Sequence, residues 1–188
     1  MTVVAGVMLE DGRVLIATDS ASTYAAGFRR IDPVGKWWKY PSCVIGISGG
    51  GLHLSRVKWK MDELMREWKG KGLIEPMHIQ DVIHQIQDEL KSNEGIDSLE
   101  IELLYKGAPE GMFIIGGDGD LSGPHHDFAV IGSGVELTEG ILTYALKPRR
   151  CPKRTKSAVL NRVLEALRIT ADRRDGVSRP FYHDTFSF

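Results

Sequence analysis

Cysteine is nearly absent from this 188-residue chain. Cys43 lies in an apolar run and Cys151 beside Pro152, which makes neither a disulfide framework nor a metal-ligand spacing and fits a reducing cytoplasm. An excess of charge of one sign is also lacking. The 24 basic side chains face 25 acidic ones, a net charge of -1, so no global field recruits nucleic acid or an anionic membrane. No apolar run approaches the length of a membrane span, and the start has no basic segment leading into an apolar one. Neither a membrane anchor nor a cleavable signal is therefore expected. Repeats, linkers and low-complexity segments are missing too, and 188 residues suit one domain at about 100 to 200 residues per domain. What remains is ordinary globular composition, 42% apolar and 26% charged.

The order of elements can be read from periodicity. Val3 to Leu9 and Arg13 to Asp19 are β-rich runs joined by Glu10-Asp11-Gly12, and Asp-Gly is a strong hairpin signal. A polar stretch from Ser20 to Gly35 follows, then Lys36 to Tyr40, then an apolar run at Cys43 to Ile47 that reads as a strand closing on Ser48-Gly49-Gly50-Gly51. Leu54, Val57, Met61, Leu64 and Trp68 fall at three- and four-residue steps and predict a helix ending near Gly70 and Gly72. A second helix follows Pro76, with Ile79, Val82, Ile83, Ile86 and Leu90 on its apolar face. Strands are expected at Leu99 to Tyr105, Met112 to Ile115 and Phe128 to Ile131, helices at Glu136 to Leu146 and Ser157 to Ala171, and a last strand after them. Segregated strands and helix pairs imply sheets packed together with helices outside.

Thr2 follows Met1, and if that methionine is trimmed, one residue carries both a hydroxyl nucleophile and a free amine to take its proton. The surroundings are what give this weight. Thr2 ahead of an apolar strand, Gly12-Arg13-Val14-Leu15-Ile16-Ala17-Thr18-Asp19, and Lys36 come in order. Gly46-Ile47-Ser48-Gly49-Gly50, Ile114 to Gly119, Ala129 to Gly134 and Asp175-Gly176-Val177-Ser178 complete the series. In this ordered series the chain resembles the β-type proteasome subunits and HslV-like peptidases, which are N-terminal-nucleophile hydrolases. The resemblance spans nearly the whole chain. It implies an α+β fold, the four-layer αββα sandwich, and a threonine peptidase that needs no metal or organic cofactor. It also implies a homo-oligomeric ring, of stacked rings around an inner chamber, taking peptide or unfolded-protein substrate and fed by an ATP-dependent unfoldase.

Each candidate residue has a chemical reason. An α-amine has a pKa of about 8, so only about one-tenth of it is neutral at pH 7. A cation at Lys36 disfavours the protonated amine, and Asp19 is expected to pair with Lys36 and hold it charged. Gly49 is expected to offer its backbone N–H to the oxyanion, with Gly50 taking that part if the register shifts by one. Ser133 resembles the family serine that contacts the threonine amine, and Asp175 and Ser178 resemble the residues that orient it. Structural readings stand beside these: a helix N-cap at Ser133 and a capped turn at Asp175 to Ser178.

Other features have plainer explanations. Gly117 to Asp120 lacks the terminal acid of a calcium loop and reads as a hairpin turn. His125 and His126 sit in an expected loop with no second ligand pair, so no metal is expected. The basic cluster from Lys147 to Lys156 reads as a solvated link between helices, and Trp37 and Trp38 pack in or beside the sheet. The tail from Arg179 to Phe188 departs from the HslV pattern, which counts against an HslU-type ATPase as the partner. Two further functions stay open: an N-terminal-nucleophile amidase acting on a small amide, and a catalytically silent ring scaffold in which retained Met1 blocks the Thr2 amine.

Overall fold

Every residue of Val3–Val7 and Val14–Thr18 is buried, so these strands are covered on both faces, while buried positions recur every three to four residues along the helices, and two sheets therefore pack face to face between helix layers. The computed structural model describes residues 2–23, 29–31, 35–68, 73–94, 99–108, 110–174 and 177–188. In chain order the strands β1 (Val3–Met8), β2 (Val14–Thr18), β3 (Ala21–Thr23), β4 (Arg29–Ile31), β5 (Trp37–Lys39) and β6 (Val44–Gly49) come first. Helices α1 (Gly51–Glu67) and α2 (Pro76–Glu94) follow, then β7 (Ile101–Lys106), β8 (Met112–Gly116), β9 (Leu121–His125) and β10 (Phe128–Gly132). Helices α3 (Val135–Ala145) and α4 (Lys156–Arg173) and the strand β11 (Tyr182–Phe186) complete the chain.

One antiparallel sheet runs β10-β1-β2-β11 and the other β5-β6-β7-β8-β9, while β3 and β4 pair with each other. Val3, Ala5 and Val7 of β1 meet Val159, Val163 and Leu167 of α4, whereas Val4 points the other way, into the space between the sheets. There it joins Val14 and Ile16 of β2 and Val44, Leu104 and Met112 of the second sheet. On the far side Ile45, Leu103 and Tyr105 bury against Val57 and Met61 of α1 and Ile79, Ile83 and Leu90 of α2. Each such side chain contributes about 1.5–3 kcal/mol when fully buried. The result is the αββα sandwich expected from the resemblance, and the sheets come very close at its centre. A Cβ on Gly6 would lie 2.7 Å from Leu104 and 2.8 Å from Met112.

Local chemistry accounts for several boundaries. Helix α2 begins on Pro76, whose missing N–H is needed least in the first turn, and Thr155 caps α4 by accepting from the Ala158 N–H. Some short strands were not anticipated. The stretch from Ser20 to Gly35 contains β3 and β4, and His125 ends β9 rather than lying in a loop. The expected last strand is β11, and its Phe186 packs edge-on to Trp37 and bridges the two sheets on that side. Among the described residues no helix is long and apolar enough to cross a membrane.

Candidate functional site

Thr2 is two residues before Val4 and so shares its face of the first sheet, which aims it into one end of the space between the sheets. Thr18 ends the neighbouring strand, paired with Val4. The chain then turns at Asp19, which is fully buried. Lys36 arrives from the second sheet: its N–H donates to Thr18 Oγ1 at 3.3 Å, and its carbonyl accepts from the Ile47 N–H at 2.9 Å. With the backbone so held, Lys36 Nζ stands 2.7 Å from Thr2 Oγ1 and 2.9 Å from Asp19 Oδ1.

This is a buried ion pair, the lysine side chain 9% exposed and the aspartate 0%. Such a pair is tolerated only when its remaining hydrogen-bonding capacity is met. Here Asp19 Oδ1 also accepts from the Val3 N–H at 3.1 Å, and Oδ2 accepts from the Ser178 N–H at 3.2 Å. Asp19 thus ties the start of β1 to the segment after α4.

The remaining candidates divide. Ser133 Oγ accepts from Thr2 N and donates to Thr2 O, both at 3.3 Å. It does not cap a helix: the N-cap of α3 is Gly134, with no side-chain bond. Ser178 enters through its backbone, since its N–H meets Asp19 and its carbonyl accepts from Ser20 N at 3.1 Å and Ser20 Oγ at 3.2 Å. Asp175 lies outside the described residues, as does Met1.

The two glycine options are separated by the ladder. Gly50 N–H donates to the Glu100 carbonyl at 2.8 Å, so it is already committed and the alternative register is corrected. Hydrogen-bond direction alternates along an antiparallel strand. Gly49 N–H therefore points to the opposite edge, the one on which Ile47 N–H meets Lys36. Gly49 also has φ 130°, and a Cβ there would fall 2.1 Å from the Glu100 oxygen.

Residues that sequence reasoning did not single out also build the site. Thr18 and Ser20 flank Asp19 and anchor Lys36 and Ser178, and their position beside the acid was an available signal. Gly132 has φ 96°, and a Cβ on it would lie 2.2 Å from Thr2 O and 3.0 Å from Ser48 Oγ. Its N–H donates to Glu102 at 2.6 Å. Elsewhere, Cys151 is buried against α4, and of the basic cluster Arg154 pairs with Asp127 at 2.8 Å.

Solved structures share this architecture. HslV from Trypanosoma brucei matches with a TM-score of 0.70 over 97% of this chain and 98% of its own, at 17% identity. The fold is that of HslV. BPH from Thiobacillus denitrificans in complex with epoxomicin matches this chain with a TM-score of 0.68 over 99% of this chain and 98% of its own, at 20% identity. A further structure of that BPH gives 0.67 and 18%, over 99% of this chain and 97% of its own. No family model matches the sequence, and no curated protein matches it.

Proposed function

We propose that this chain is a threonine-type peptidase that works through an acyl-enzyme on Thr2 after removal of Met1. The observation that carries the reading is Lys36 Nζ, 2.7 Å from the Thr2 hydroxyl and paired with a fully buried Asp19. In the proposed reaction Thr2 Oγ attacks the carbonyl carbon of a peptide bond, and its proton passes to the Thr2 amine directly or through one water. The oxyanion so formed accepts from Gly49 N–H. Collapse breaks the C–N bond, and the amine hands its proton to the leaving nitrogen. Water then attacks the Thr2 ester as the amine takes its proton, and collapse breaks the acyl C–O bond, the amine returning that proton to Thr2 Oγ as the acid product leaves.

The other residues support these steps. The Lys36 ammonium favours the neutral amine and the developing alkoxide. Asp19 keeps Lys36 charged and aimed, and Ser133 orients the Thr2 nitrogen. By likeness to the family pattern, Asp175 and Ser178 are assigned the part of orienting the amine. No step calls for a metal or an organic cofactor.

By the same reading the unit is a single domain in a cytoplasmic ring of identical chains with inward-facing sites, taking peptide or unfolded-protein substrate and fed by an ATP-dependent unfoldase. The HslV fold over nearly the full chain supports this. The test is hydrolysis of fluorogenic peptides and of small acyl amides by the processed protein and by Thr2→Ala. Peptide turnover abolished in Thr2→Ala supports the proposal. Turnover confined to small amides moves the function to an amidase, and peptide turnover undiminished in Thr2→Ala overturns it.

A further inference from the structure

Glu102 is an acid in a strand whose following residues, Leu103, Leu104 and Tyr105, are fully buried. It shares a face with Leu104, which packs between the sheets, so its carboxylate enters that space at the end where Thr2 lies. Its cross-strand neighbours are Ser48 and Gly116. A short hydroxyl on one side and no side chain on the other leave room for the acid to reach across the sandwich. What it reaches is the N–H of Gly132 in the opposite sheet, at 2.6 Å from Oε2. Gly132 stands opposite Val3 in the ladder, has the left-handed φ of 96°, and is followed by Ser133. Hydrogen bonds to an ionised acceptor are roughly twice as strong as neutral ones.

We propose that Glu102 is a positioning residue for the Thr2 site: its carboxylate holds the Gly132 amide across the sandwich and so sets where Ser133 Oγ stands relative to the Thr2 nitrogen. It acts through Gly132 and Ser133 and touches no substrate. The inference rests on the peptidase reading for its kinetic consequence alone, since the hold on Gly132 is observable without turnover.

The experiment compares Glu102→Leu and Glu102→Gln in the full processed chain. It reads kcat and KM on a fluorogenic peptide and backbone hydrogen exchange at Gly132 and Ser133. A displacement of about 1 Å at such a contact costs up to about 100-fold, so kcat is expected to fall at least about tenfold in Glu102→Leu with KM within about twofold. Glu102→Gln is expected to recover kcat to within about threefold, because its amide oxygen accepts the same N–H. Exchange at Gly132 is expected to quicken at least about tenfold in the leucine variant and to stay near the parent rate in the glutamine variant. Parent-like kcat in Glu102→Leu, an equal loss in Glu102→Gln, or unchanged exchange at Gly132 overturns the proposal. Should the leucine variant not fold, Glu102→Ala carries the same expectations. Turnover that survives Thr2→Ala removes the peptidase reading instead, and the exchange rates then decide the role of Glu102 by themselves.

Discussion

Asp19→Asn exchanges one carboxylate oxygen for an amide nitrogen of nearly the same size, so its cost can be worked from the contacts. Oδ1 receives Lys36 Nζ at 2.9 Å and Val3 N at 3.1 Å, while Oδ2 receives Ser178 N at 3.2 Å. An asparagine keeps its oxygen where two donors converge, and its NH2 then faces the Ser178 N–H, donor against donor. Losing one bond to a charged acceptor costs about 1.5–3 kcal/mol. Lys36 also loses its counter-ion while only 9% exposed, which brings the total to about 3–5 kcal/mol. Lys36→Met is expected to cost a similar amount, about 3–5 kcal/mol, because it leaves the buried carboxylate without its cation. Combining the two removes both charges, so the double variant is expected to fall short of the summed costs by about 1–3 kcal/mol. Urea unfolding of the parent, the two single variants and the double variant at pH 7 closes the cycle. Costs that add to within about 0.5 kcal/mol would refute the coupled pair.

Gly132→Ala puts a Cβ 2.2 Å from the Thr2 carbonyl at a left-handed φ, and turnover is expected to drop about 100-fold as Thr2 is displaced; parent-like kcat would contradict this. Lys106, buried at the other end of β7, has its pKa lowered by desolvation, partly offset by Glu110. The unfolded chain holds that proton more tightly, so this residue's contribution to stability rises with pH from the folded value up to the ordinary 10.5. Lys106→Met is therefore expected to be at least as stable as the parent at pH 7, with an advantage that shrinks toward pH 10. Urea unfolding at both pH values checks this, and a gap that widens with pH refutes it. Burial pushes the Cys43 thiol up to about 12, and Cys151 is buried as well. A colorimetric thiol reagent at pH 8 should find no reactive cysteine in the folded protein and both in denaturant, whereas fast labelling of the native state would contradict the packing.

The parts of the fold legible in the sequence are those in which local signals and burial agree. The Asp-Gly reversal between β1 and β2 is one, and the apolar faces of α1 and α2 are another, with Val57, Met61, Ile79, Ile83 and Leu90 all buried. Strand β9 was not legible because Leu121–His125 contains Gly123 and Pro124, poor strand formers. It exists as an edge strand paired with β8 across an irregularity near Met112 and Ile114. Thr2, Asp19 and Lys36 could be proposed together because their order along the chain carried the resemblance. The choice between Gly49 and Gly50 could not be made from sequence, since it turns on which edge of β6 each N–H faces. Glu102 was invisible for a related reason. Its role depends on which residue of the opposite sheet lies across from it, and that is set by the packing of two sheets.

Mass spectrometry of the protein after exposure to a peptide epoxyketone reads out whether a liberated amine and hydroxyl on Thr2 are activated by Lys36. The expected result is a chain lacking Met1, a single adduct localised to Thr2, and no adduct in Lys36→Met that has kept its fold. A chain that retains Met1 and stays unmodified, or an adduct that forms as quickly without Lys36, would contradict it.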